Sequence, residues 1–477
     1  MTTNNHSSQY DIGMVGLGVM GRNFLLNMAE HGFSVAGYDK DITRVEDLRK
    51  ESENKDIYGA ENVTEFLSAL RKPRSVIMLV PAGSVVDAVI SDLQDYLDPG
   101  DILIDAGNSY FKDTDIRLKN LEKKGIQYLG VGVSGGEEGA RHGPSIMPGG
   151  HKDAWERVRP VFEAAAAKVN GQPCVTYLGP GAAGHFVKMV HNGIEYAIMQ
   201  LIAESYDLMK RGGGMDDDEL HEIYALWNNN ELNSYLIEIT GLIFNTTDDK
   251  SGKRLIDEIL DVAKQKGTGM WTSQSAMELK VPVPTVDVAV ALRNLSVLED
   301  QRIRAGQVFK RERKKYSGDR KTFLQQIHNA LYTGIVISYA QGMALLRAAS
   351  ENYRYHLDLE KIAGIWRGGC IIRSSVLEDI MNAFNRNKEL PNLLFDPLFS
   401  ARIIEQHEDL RKIILFAVDS GIPVPGLMSA LGYLDSFRSE WQPANLIQAQ
   451  RDFFGSHTYE RVDVKGTFHT NWLKENQ

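Results

Sequence analysis

An apolar run, a glycine turn and an amphipathic stretch follow one another at the start of this chain, and few folds accept that order. Residues 12–15 are apolar, Gly16-Leu17-Gly18-Val19-Met20-Gly21 comes next, and a helical pattern begins inside the turn. A strand that feeds a helix this way buries both faces only as one unit of a larger α/β layer. The alternation continues, because residues 34–38, 75–80, 102–104 and 128–131 also read as strands, with helical patterns between several of them. The expectation is a mainly parallel sheet covered by helices over residues 1–180. From about residue 181 long helical periodicity takes over, as in 321–350 and 357–366, and strand-like runs become few. Residues 181–440 are therefore expected to be all-helical. The final stretch, 441–477, has too few apolar residues for a core of its own and must dock elsewhere, on this subunit or on a partner. Residues 311–320 (RERKKYSGDR) read as a solvated connection, and 421–426 (GIPVPG) as a turn.

The glycine spacing has a chemical reading in this context. In G-x-G-x-x-G the first glycine permits a tight turn, the second lets the backbone approach a pyrophosphate, and the third lets helix and strand pack closely. Amides of the helix N-terminus then hold the phosphates. This makes the first domain a Rossmann-type dinucleotide site. The next strand ends at Tyr38-Asp39-Lys40-Asp41. An acidic residue there hydrogen-bonds a ribose 2′-hydroxyl, which leans the coenzyme toward NAD; a 2′-phosphate would meet like charge, partly offset by Lys40 and Arg44.

A second set of polar residues lies farther along. Asp105-Ala106-Gly107-Asn108-Ser109 follows a strand and should sit at the carboxyl edge of the sheet. Residues 132–139, including Ser134, Gly135 and Gly136, read as a loop whose amides and hydroxyl suit a carboxylate, and Lys266-Gly267-Thr268-Gly269 reads similarly. Residues 184–210 have good helix formers and no proline, and within them Lys188, His191, Asn192, Glu195 and Tyr196 recur at i, i+3, i+4, i+7 and i+8. Such spacing places them on one face. A solvated face would be rich in Glu, Lys and Arg; this one mixes His, Asn and Tyr, as a cleft wall does.

Bulk properties remove other classes. A net charge of −10 argues against a nucleic-acid or anionic-membrane surface. Two cysteines, Cys174 and Cys370, make no disulfide framework and suggest a reducing compartment. No ligand spacing points to a metal, the polar start MTTNNHSSQY lacks the apolar core of a signal peptide, and no apolar run reaches spanning length. The expectation is a cytoplasmic protein.

Taken together the motifs resemble the 6-phosphogluconate dehydrogenases (decarboxylating) of the β-hydroxyacid dehydrogenase superfamily. The resemblance runs over nearly the whole chain and is most specific at GVSGGEEGARHGPSIMPGG (132–150), GHFVKMVHNGIEY (184–196), QKGTG (265–269), WRGGCIIRS (366–374), IQAQRDFFGSHTYER (447–461) and the FHTNW near the end. It implies oxidative decarboxylation of 6-phosphogluconate to ribulose 5-phosphate and CO₂ with reduction of NAD(P)⁺, and a homodimer whose tail threads into the neighbouring subunit. By motif it implies substrate contacts at Asn108, Ser134, Gly135, Gly136, His191, Asn192, Tyr196, Lys266, Thr268 and Arg293, completed by Arg451 and His457 of the other subunit's tail. Coenzyme contacts fall on Gly16, Leu17, Gly18, Val19, Met20 and Gly21, on Asp39, Lys40 and Asp41, on Val80, Pro81 and Ala82, and on Asn108. The catalytic pair would be Lys188 as general base and Glu195 as the acid that protonates the enediol, with His191 and Asn192 orienting hydroxyls.

The chain departs from the family pattern in three places. The ribose corner, usually Asn-Arg-Thr, is Asp39-Lys40-Asp41; Ala106 replaces a glycine before Gly107; and Met270 stands where a lysine is common. The first departure puts the family's NADP in question. The other enzyme reading is a related dehydrogenase of a smaller, unphosphorylated β-hydroxyacid, such as 3-hydroxyisobutyrate; a non-catalytic dinucleotide-binding protein on the same fold is the third.

Overall fold

The computed structural model describes residues 9–52, 55–312 and 314–473. The polar start, residues 1–8, on which the expectation about a signal peptide rests, lies outside them, as do Arg313 of the charged connection and residues 474–477 of the tail. Seven strands form the main sheet: β1 Ile12–Val15, β2 Val35–Tyr38, β3 Ile57–Ala60, β4 Ser75–Met78, β5 Ile102–Asp105, β6 Gln127–Ser134 and β7 Ser145–Gly150. Their order is β3-β2-β1-β4-β5-β6-β7, all parallel except β7, which runs antiparallel to β6. Strand order reverses between β1 and β4, where open α/β sheets bind ligands. Register places the turns on one edge, since Val15 pairs with Tyr38 and Met78, and Met78 with Asp105.

The strands read as continuous apolar runs because both faces are covered. Met14, Ile77 and Ile104 join one core with Phe24, Trp155 and Phe162, while their neighbours Val15, Val76 and Leu103 join another with Phe66, Leu93 and Tyr128. Two strands escape the sequence reading. Strand β3 (IYGA) is a four-residue edge. Strand β7 (SIMPGG) holds one proline and two glycines, which have low strand propensity, yet it is buried throughout by pairing with β6. The loop expected over 132–139 is corrected by the same pairing. Residues 132–134 end strand β6, Gly136–His142 is helix, and the chain turns between them at Gly135 (φ +117°) and Gly136 (φ +64°).

The helical region begins with Ala183–Asp207, which runs on into a π-helical turn, Leu208–Gly212. One side of this helix packs on β6 and β7, and the other on helices Thr268–Glu278, Pro284–Ser296 and the 34-residue Arg320–Tyr353. Thr268 and Gly269 open the helix Thr268–Glu278 rather than continuing a loop. Among the described residues, no helix is long and apolar enough to cross a membrane, and no group of three or more His, Cys, Asp or Glu could hold a metal ion.

The chain divides into compact units at Ala430 and Leu431. The second has a polar centre, as its sparse apolar content requires. Helix Ala444–Gly455 and the hairpin Tyr459–Glu460 with Thr467–Phe468 gather around Asp452. That carboxylate is fully buried and accepts from Thr458 N (2.9 Å), His469 Nδ1 (2.9 Å), Thr470 N (3.1 Å) and Trp472 Nε1 (2.8 Å).

Candidate active site

The polar stripe of helix Ala183–Asp207 faces inward. Lys188 is 6% exposed and His191 fully buried. The Lys188 ammonium donates to Asn192 Oδ1 and lies 3.5 Å from His191 Nδ1. His191 Nδ1 is 3.0 Å from the same Asn192 oxygen, 3.7 Å from Glu195 Oε2, and Nε2 is 3.4 Å from Ser134 Oγ. Facing an amide oxygen, Nδ1 carries the proton, so Nε2 accepts. The Trp366 ring meets His191 edge-on at 5.6 Å and fixes the imidazole. Helix spacing alone does not bring Lys188 this close to the sheet. A Cβ on Gly132 of β6 would lie 2.3 Å from the Lys188 Cβ, so only glycine admits the side chain there.

Burial decides the protonation of this cluster. It pushes the Lys188 ammonium below its ordinary range, against the opposing pull of Glu195 and Cys370. It pushes His191 far down, helped by the neighbouring Lys188 charge, so the imidazole is neutral. It pushes the Glu195 carboxyl up, although Lys188 and Arg293 draw it back. A lysine shifted toward its neutral form thus shares one wall with a carboxyl shifted toward its protonated form.

Thr268 and Arg293 are tied to this helix, through Asn192 and Tyr196. Asn192 Nδ2 donates to Thr268 Oγ1 at 3.1 Å, joining the stripe to the start of helix Thr268–Glu278. The Arg293 guanidinium lies 3.4 Å above the Tyr196 ring, which holds a partly exposed cation flat. Lys266 is exposed two residues before Thr268, Gly135 and Gly136 follow Ser134, and Asn108 is exposed after β5. Arg451 and His457 belong to the C-terminal unit, where Arg451 donates to Gln448 Oε1 at 2.9 Å and the Phe454 ring stands edge-on to His457 at 5.9 Å. Sequence reasoning passed over the parts played by Gly132, Trp366 and Cys370. All three lie within quoted motifs, but none carries a periodic signal that would mark its part.

At the switch point a cleft of about 360 Å³ is lined by Gly16, Gly18, Asp39, Lys40, Arg44, Val80 and Pro81, with Val63, Val85 and Val89 as an apolar slot. A Cβ on Gly21 would sit 1.9 Å from the Gly16 carbonyl oxygen, so the third glycine is required for closure of the turn. No side chain caps the helix Val19–Glu30, and its first amides remain for an anion. The Leu17 amide is already used, donating to Asp39 Oδ2 at 2.7 Å, while Asp39 Oδ1 accepts from Asp41 N at 2.9 Å. Arg44 Nη1 is 3.3 Å from Asp39, Lys40 pairs with Asp92 at 2.7 Å, and Asp41 caps the helix Ile42–Glu51. Turn, amides and slot together fit a dinucleotide.

Comparison with known proteins agrees over nearly the whole chain. The family described as "NAD binding domain of 6-phosphogluconate dehydrogenase" matches residues 11–179, and "6-phosphogluconate dehydrogenase, C-terminal domain" matches 184–472. The NADP(+)-dependent, decarboxylating 6-phosphogluconate dehydrogenase of Bacillus subtilis (strain 168) is 50% identical, covering 98% of this chain and 100% of its own. A decarboxylating 6-phosphogluconate dehydrogenase of Spinacia oleracea is 48% identical over 97% of this chain and 98% of its own. A structure of Plasmodium falciparum 6-phosphogluconate dehydrogenase, reported in apo form, with NADP⁺ and with 6-phosphogluconate, superposes with a TM-score of 0.94 at 45% identity, covering 97% of this chain and 100% of that one.

Proposed function

The chain belongs to the 6-phosphogluconate dehydrogenase family, and from that premise we propose how its residues convert 6-phosphogluconate to ribulose 5-phosphate and CO₂. The observation that carries the reading is the inward-facing stripe, with Lys188 buried, Glu195 partly buried and both displaced toward their uncharged forms. When bound in the cleft of Gly16, Gly18 and Val80, the nicotinamide coenzyme supplies a hydride acceptor. Neutral Lys188 removes the C3 hydroxyl proton during oxidation. As an ammonium it then donates to the new carbonyl oxygen, which draws electrons from the C1–C2 bond as CO₂ leaves. Glu195, displaced toward its protonated form, returns a proton to the carbon that bore the carboxylate, which becomes C1 of ribulose 5-phosphate.

Substrate orientation falls to the groups around this pair. Ser134, His191 and Asn192, with the Gly135 and Gly136 amides, address hydroxyls and carboxylate; Thr268 braces Asn192. Lys266, Tyr196 and Arg293 suit the phosphate, the arginine by its paired donors. Asn108 closes the substrate site on the coenzyme side. Arg451 and His457 complete the site from the partner's tail in a homodimer of the family kind. The exposed Trp441, Leu446 and Phe454 of the tail unit are what such docking would cover. The functional division is 1–180 for coenzyme, 181–440 for substrate and dimerisation, and 441–477 for the exchanged tail.

The coenzyme is a nicotinamide dinucleotide, and its 2′ group is the finer question. The family and the Bacillus relative's name favour NADP. The Asp39 carboxylate at the ribose corner, with Lys40 drawn away to Asp92, supports NAD. Initial rates with 6-phosphogluconate, run side by side with NAD and NADP and with CO₂ measured, test both points. Absence of turnover with either coenzyme overturns the assignment, and a strong NADP preference overturns the reading of Asp39. The 3-hydroxyisobutyrate alternative predicts activity on that substrate instead.

A further inference from the structure

One buried cation joins the turn after β4, which lines the cleft through Val80 and Pro81, to the turn after β5. Arg117, on helix Phe111–Glu122, is 5% exposed. Its Nε and Nη2 donate to the two Asp87 carboxylate oxygens at 2.7 and 3.1 Å, and Nη2 also donates to the Gly83 carbonyl at 3.0 Å. Its Nη1 lies 3.5 Å from Ser109 Oγ and 3.6 Å from Asp105 Oδ2. Asp105 is itself fully buried and accepts from Gly107 N at 3.1 Å and from Tyr128 OH at 3.2 Å. A single guanidinium therefore reaches the turn after β4, which carries Val80, Pro81 and Ala82, and the turn after β5, which carries Asn108.

We propose that Arg117 is a positioning residue that sets the separation of these two turns, and through it the seat of the dinucleotide relative to Asn108. The proposal rests on the reading above, in which Val80 to Ala82 and Asn108 receive coenzyme. Stability alone is a weak reason for this arrangement, because replacing a buried ion pair with apolar side chains is often neutral. What apolar side chains cannot do is fix two backbone turns by a planar fork with donors on three nitrogens. Lysine keeps the charge and loses the fork, so Arg117→Lys separates the two roles.

The test compares wild type, Arg117→Lys and Asp87→Asn. Calorimetry measures NAD and NADP affinity of the coenzyme-free protein; initial rates give kcat and the KM for 6-phosphogluconate; thermal midpoints report folding. Arg117→Lys is expected to weaken dinucleotide binding about tenfold and to lower kcat roughly 10- to 100-fold, as small misplacements do. The KM for 6-phosphogluconate should hold within about twofold, because its main contacts lie on the other wall. Asp87→Asn, altered at the half-exposed end of the pair, should shift dinucleotide affinity in the same direction by less. Dinucleotide affinity unchanged in folded Arg117→Lys overturns the proposal, as does a parallel fall of affinity, kcat and substrate binding with the thermal midpoint. Should Arg117→Lys not fold, Asp87→Asn decides: weakened dinucleotide binding with an unchanged thermal midpoint supports the proposal, and unchanged binding overturns it. A wild type that binds no dinucleotide overturns the proposed function as well, which distinguishes the two failures.

Discussion

Glu195 and Glu204 lie on the same helix, both withdrawn from water, and they serve opposite ends. Glu195 keeps company with side chains that bear or exchange protons: His191 at 3.7 Å and Lys188 within electrostatic reach, beside the fixed cation of Arg293. Glu204 is 3% exposed and is held by donors that do not change. It accepts from Gly426 N at 2.7 Å, Leu427 N at 2.9 Å and Gln200 Nε2 at 2.8 Å, so it caps the start of helix Pro425–Phe437. Burial raises both carboxyls, Glu204 to about 7. The displacement alone therefore does not mark a catalytic acid. The partners do, because a proton can be passed within a cluster of titratable groups and not to a pair of backbone amides.

The largest effect should come from removing the proposed base. Lys188→Ala is expected to lose about 10³-fold or more in initial rate, for oxidation and for decarboxylation of added 3-keto intermediate alike. Its thermal midpoint should stay level or rise, since a buried ammonium is relieved. A fully active Lys188→Ala enzyme breaks the catalytic side of the comparison. Glu195→Gln should follow at roughly 10²-fold, with the loss concentrated in the late proton transfer and little change in stability. Equal slowing of oxidation and of the later step would remove its assignment.

Glu204 should invert that pattern. Glu204→Ala leaves two buried amides without acceptors and is expected to lower stability by about 2–4 kcal/mol in denaturant unfolding, with kcat and KM unchanged. The pH dependence sharpens the point. A carboxyl raised in the folded state contributes stability that is fully present below the ordinary value of 4.5 and is lost as pH rises through about 7. Relative to Glu204→Gln, wild type should therefore lose stability as pH rises across that interval. A flat or opposite difference would show that the amide donors outweigh burial.

The smallest effect concerns Asp39, a carboxylate held by backbone amides as Glu204 is, but at the mouth of a cleft. Asp39→Asn should raise the NADP-to-NAD ratio of kcat/KM about tenfold, equivalent to roughly 1.4 kcal/mol. An unmoved ratio would make Asp39 a brace for the glycine turn and nothing more.

Much of this was legible locally. The strand–turn–helix order foretold β1, β2, β4, β5 and the core of β6, and the i, i+3, i+4, i+7, i+8 spacing foretold that Lys188, His191, Asn192, Glu195 and Tyr196 share a face. Such patterns repeat within a turn or a strand, so a short window of sequence holds them whole. Strand β7 was not legible, because its proline and glycines extend only through pairing with β6. Nor was the short turn at Gly135, which depends on where that pairing stops. The fork of Arg117 draws on partners up to 34 residues away, and the cap by Glu204 on amides 222 and 223 residues away. By itself, then, the sequence determined the succession of elements, the dinucleotide turn and the face that carries the chemistry. Only the tertiary structure decided which carboxylate meets a lysine and which meets a helix end, because burial and partners arise when distant segments pack, and those two quantities decide where a proton resides.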